Sequence, residues 1–169
     1  MIRWMMALGF ALTITTALAQ REEPVGCDKF KWPLDRERAL LTATDIARTE
    51  SGAEIEPPIG KAVMVRLVPL AEAKLPMTPA RAPRSRNRGT GFVKIASLSQ
   101  PGNYLITLSA GGWIDVVQDG HFVKSGAFSG ALGCEGVRKS VAFALAAVPL
   151  IVQFSGVPAD AVGMIMTRQ

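Results

Sequence analysis

Histidine is almost missing from this sequence, and the shortage excludes more chemistry than any motif suggests. Only His121 occurs in 169 residues. A facial-triad iron centre needs two histidines and a carboxylate, and catalytic zinc usually takes two or three histidines. One chain can build neither. A serine hydrolase could work with His121 alone, but no G-x-S-x-G elbow is present: Gly126-Ala127-Phe128-Ser129-Gly130 carries its serine one position late. Cysteine is limited to Cys27 and Cys134, with no C-x-x-C to suggest a redox or zinc site. Aromatic residues make up 7% of the chain and do not interleave with basic ones, as a single-strand nucleic-acid binder requires. The expectation is therefore no cofactor, no metal and no nucleic-acid partner.

Charge is also sparse at the N-terminus. Arg3 is followed by an uncharged stretch from Trp4 to Ala19 that ends in Ala17-Leu18-Ala19, the small-x-small pattern a signal peptidase requires. This stretch is shorter than the about 20 apolar residues of a membrane span and contains three threonines. It predicts a cleavable secretory signal at 1–19 and a mature chain beginning at Gln20, located in the periplasm or secreted. No later segment reads as transmembrane, because Val137 to Phe154 is interrupted by Arg138, Lys139 and Pro149. In an exported chain an even pair of cysteines forms a disulfide, so Cys27 and Cys134 are expected to bond and tie the N-terminal segment to the rest.

After the signal, roughly 150 residues remain, the size of one domain. Residues 20–61 are charged and irregular, with one helix expected from Pro33 to about Arg48. Pro33 suits a first helical turn, and Asp35 and Glu37 suit the positive end of the helix dipole. Residues 62–169 read as a β domain. The expected strands are Ala62 to Val68, Gly91 to Ser97, Asn103 to Ser109, Trp113 to Gln118, His121 to Lys124, Val137 to Leu145, Val148 to Ser155 and Ala161 to Thr167. Turn residues punctuate them at the spacing of an antiparallel sandwich. Asp119-Gly120 predicts a type I′ hairpin. Phe128-Ser129-Gly130 and Phe154-Ser155-Gly156 read as strand exits. Between the first two strands, residues 69–88 carry four prolines and Arg81, Arg84, Arg86 and Arg88. Such proline density forbids helix and central strand, and predicts an extended, solvated loop.

Two groups of residues are candidate contacts. Trp113 and Asp115 share one face of a strand, an aromatic surface beside a hydrogen-bond acceptor that suits a sugar ring or a peptide. The plainer alternative places Trp113 in the core and leaves Asp115 solvated. The second group is basic: Lys74, Arg81, Arg84, Arg86, Arg88 and Lys94 occur with no acidic residue between Glu72 and Asp115, in a chain of net charge +5. Arginines there could dock on an anionic envelope component or an acidic protein surface. Met164 and Met166 alternate along one strand as core residues do, although soft thioethers also suit copper(I). A rival reading, a periplasmic hydrolase, would need carboxylates such as Asp115, Asp119 and Glu135 brought within about 5 to 9 Å.

The residues Gly102-Asn103-Tyr104, Trp113-Ile114-Asp115-Val116, Asp119-Gly120, Gly133-Cys134-Glu135-Gly136, Arg138-Lys139-Ser140-Val141 and Phe154-Ser155-Gly156 resemble small exported proteobacterial proteins of unknown activity. Some of these are labelled homogentisate dioxygenase, a chemistry that one histidine excludes here. The strand series is also similar to the jelly-roll domains at the C-termini of secreted peptidases. That resemblance implies a non-catalytic adaptor. The expectation is a mainly β, jelly-roll-like antiparallel sandwich with one short N-terminal helix, acting as an exported binding or accessory module.

Overall fold

The computed structural model describes residues 22–83, 85 and 88–169. The predicted signal at 1–19, and Arg84 and Arg86, lie outside the described residues. A 3-10 turn (Cys27–Lys29) and helix α1 (Asp35–Leu41) precede twelve strands. The first sheet contains β1 (Ala47–Thr49), β3 (Val63–Arg66), β12 (Ala161–Arg168), β6 (Gly102–Leu108), β10 (Lys139–Leu145) and β9 (Ser125–Gly130), in that order. The second runs β2 (Glu54–Ile55), β5 (Gly89–Ile95), β11 (Leu150–Val157), β7 (Trp113–Gln118) and β8 (His121–Phe122), with β4 (Val68–Pro69) also pairing with β5. The orders β3-β12-β6-β10 and β5-β11-β7-β8 are those of a jelly roll, eight strands wrapped into two facing sheets. Between named strands, only the edge pairs β1/β3 and β2/β5 are parallel.

Period-two alternation decides which residues meet between the sheets. Tyr104, Ile106 and Leu108 of β6 pack with Val141, Phe143 and Leu145 of β10, and with Val152 and Phe154 of β11. Met164 and Met166 are fully buried in this core, as their alternation implies. The hairpin between β7 and β8 follows from Asp119 at φ 51° and Gly120 at φ 75°, the two left-handed residues a type I′ turn requires.

The outer face of the first sheet is covered by the N-terminal segment. Leu34 and Leu41 pack with Val137 and with Ile165 of β12. Gly163 permits the close approach, since a Cβ there would lie 2.9 Å from the Leu41 side chain. The Thr167 hydroxyl donates to Glu37 at 2.7 Å. Cys27 and Cys134 form a disulfide. Next to it, the Gly26 N–H donates to the Leu132 carbonyl and the Leu132 N–H to that of Pro24, both at 2.8 Å. Residues 22–61 are thus part of the sandwich, contributing β1 and β2 as well as this cover.

Three local expectations are corrected. The helix expected over 33–48 ends at Leu41, where the Thr42 hydroxyl turns back to bond the Arg38 carbonyl, and residues 47–49 are strand. The strand at His121 stops at Phe122. Ser125–Gly130 is a strand despite its glycines and serines, because β10 supplies its hydrogen bonds, and Phe154-Ser155-Gly156 lies within β11 rather than at its exit. No helix among the described residues is long and apolar enough to cross a membrane.

Candidate binding face on the second sheet

Trp113 and Asp115 lie on the outer face of the second sheet, on the opposite side of β7 from the core residues Ile114 and Val116. Register places Trp113 opposite Ser155, and Asp115 opposite Gln153, on β11. Above this row runs the proline-rich segment, and here the expectation of a solvated loop fails. From Lys74 to Ala80 exposure alternates, with Leu75, Met77 and Pro79 half-buried and Lys74, Pro76, Thr78 and Ala80 outward. The segment is an extended strap laid on the sheet.

Two side chains of the sheet hold the strap by its backbone. Gln153 is 1% exposed, and its amide pairs with both polar groups of Met77: the Met77 N–H donates to Oε1 at 3.0 Å and Nε2 donates to the Met77 carbonyl at 3.1 Å. Asp115 accepts from the Ala80 N–H at 3.1 Å through Oδ2 and from the Trp113 indole N–H at 2.7 Å through Oδ1. Proline explains why side chains do this work, since it removes donors that would otherwise pair with a neighbouring strand. Replacing Gln153 by alanine should therefore free the strap while the sandwich stays folded. The loss of a buried amide pair costs about 1 to 3 kcal/mol. Trypsin cleavage after Lys74 and Arg81 should accelerate, with a melting temperature lower by about 2 to 12 °C. An unchanged cleavage rate would mean that Gln153 does not hold the strap.

The Ala80–Asp115 bond positions the next residue, Arg81, whose guanidinium lies 5.4 Å from the centre of the Trp113 ring. Lys139 approaches the same ring at 5.1 Å from the first strand position of β10 and donates to the Gly112 carbonyl at 2.8 Å. Burial, and after it Arg81 and Arg138, push the Lys139 ammonium below the usual lysine range, with Asp115 pulling the other way. Arg138 pairs with Glu23. Trp113 is thus half-buried among cations, with its N–H spent on Asp115. Arg88 is exposed immediately before β5.

No protein-family model, curated protein or solved structure matches the chain.

The carboxylates of the rival hydrolase reading are not brought together. Asp115 is spent on two hydrogen bonds. Asp119 is four residues further on, about 13 Å along an extended strand, beyond the separation glycosidase pairs use. Glu135 lies near the end of α1, its carbonyl bonded by Arg38. No group of three His, Cys, Asp or Glu side chains among the described residues could hold a metal ion. Sequence reasoning missed Gln153 and Lys139. For Lys139 a signal existed: it is the one charged residue in the inward alternation Lys139, Val141, Phe143, Leu145.

Proposed function

We propose that this chain is an exported, non-catalytic binding or accessory module of the cell envelope, acting in the periplasm or outside the cell, which docks on an anionic envelope component through the strap. The observation that carries this reading is the fixing of the strap by Gln153 and Asp115 just before Arg81. A chain already held extended loses less conformational entropy on docking than a free one. Jelly-roll topology supports an adaptor role, since its sheet faces present loops and side chains without needing a catalytic cleft. The signal pattern at 1–19 and the long-range disulfide suit an oxidising compartment.

The test is retention of the mature, disulfide-bonded chain on a heparin column. Changing Arg81, Arg84, Arg86 and Arg88 together to serine should weaken retention while leaving the melting temperature within about a degree, because exposed charges contribute little to folding. Wild-type retention should fall steeply as ionic strength passes about 0.1 M, where the screening length is near 10 Å. Equal retention of the quadruple variant, or retention insensitive to salt, would leave the strap as a structural cover only.

A further inference from the structure

We propose that the Trp113 end of the second sheet is a seat for one oxyanion, a phosphate, sulfate or carboxylate group of a larger ligand, gripped between Lys139 and Arg81. This inference rests on the docking role proposed above and gives its ligand class. Lys139 stands at an inward-facing position of β10, where Val141, Phe143 and Leu145 continue into the core. An ammonium has three donors and no acceptor. Among the described residues its one acceptor is the Gly112 carbonyl.

Arg81 converges on the same indole and forms no ion pair among the described residues. The neighbouring carboxylates are committed elsewhere: Asp115 to Trp113 and Ala80, and Glu23 to Arg138. Two cations, Arg81 from the strap and Lys139 from β10, therefore face one ring, with Asp115 the carboxylate nearest to them. An oxyanion would accept the remaining Lys139 N–H bonds, bind the planar guanidinium of Arg81 in bidentate fashion and relieve the repulsion between the two.

A second observation points the same way. The Ser155 hydroxyl, directly across the ladder from Trp113, is buried and has no hydrogen-bond partner among the described residues. Buried polar groups are rarely left unpaired, and this one stands on the face of the sheet that carries Trp113, one strand away from it. The groups facing Lys139 are Arg81 from the strap, Arg138 immediately before β10 and Asp115 from β7. Burial and the two arginines hold its proton less firmly than in an ordinary lysine, so a bound anion should raise its titration and affinity should fall as pH climbs through that lowered value.

The experiment follows the Lys139 side chain and the Trp113 indole N–H by NMR in the full mature chain, titrated with inorganic phosphate and separately with a sulfated heparin tetrasaccharide. Both probes should move these two resonances and raise the titration of Lys139. Tighter binding of the tetrasaccharide would mark a glycan source, and equal binding a free anion. Lys139→Met should weaken phosphate binding about tenfold or more, the value of a charge-assisted hydrogen bond. Arg81→Ser, a change at an exposed strap position, should weaken it similarly without a risk to folding. If phosphate leaves both resonances unmoved, or if both variants bind as the wild type does, the seat is wrong. In that case loss of heparin retention in the quadruple arginine variant would still uphold the docking role. Phosphate binding at Lys139 with unchanged heparin retention in that variant would uphold the seat and remove the docking role.

Discussion

Reduction of the Cys27–Cys134 bond should lower the stability of the chain by about 4 to 5 kcal/mol. The bond joins residues 107 apart in sequence. On the chain-entropy argument, closing a loop of this length restricts the unfolded ensemble by about that amount. For a domain of this size, 1 kcal/mol corresponds to roughly 2 to 4 °C, so the melting temperature should drop by about 10 to 20 °C. The native state gives the bond a local consequence as well. Residues 24–26 hydrogen-bond to Leu132, and Leu34 and Leu41 cover Ile165. The first sheet's cover should thus become the first region to exchange amide hydrogens after reduction. Calorimetry with and without reductant, with a Cys27→Ala/Cys134→Ala double variant as control for the reductant, measures the effect. A change below 1 °C would mean that the N-terminal segment is held by its packing alone.

Replacing Phe154 by alanine should cost about 3 to 5 kcal/mol, the usual range for deleting a fully buried aromatic ring. Phe154 is fully buried in the middle of β11, which lies at the centre of the second sheet. Its immediate neighbours, Gln153 and Ser155, face the opposite side, under the strap. The two faces of this strand are therefore separable by mutation. Phe154→Ala should lower the denaturant midpoint while strap cleavage by trypsin follows global unfolding. Gln153→Ala should release the strap with the core intact. If Phe154→Ala released the strap well below the unfolding transition, the two faces of β11 would be coupled more tightly than alternation implies.

What the sequence by itself determined was whatever depends on neighbouring residues. Alternation in β6, β10 and β12 identified the core side chains, because successive residues of a strand point to opposite faces whatever its partners are. Asp119-Gly120 specified the hairpin through its two left-handed conformations. Two cysteines in a chain with an export pattern specified the disulfide. Cover of the outer faces was decided by tertiary structure. Proline density at 69–88 implied an extended chain, as residues 74–80 are, but a solvated chain and a pinned one have the same local preferences. The difference lay in groups far away: Gln153 is 76 residues from Met77, and Asp115 is 35 residues from Ala80. Strand β9 was illegible for a related reason, since Ser125–Gly130 has the composition of a turn and becomes a strand only because β10 pairs with it. Lys139 marked itself by breaking an apolar alternation, yet its position above Trp113, beside Arg81, exists only once both sheets and the strap have met. Pairing distant backbone groups and gathering like charges around one ring are properties of the packed sandwich, because proximity between residues distant in sequence is set by the whole chain.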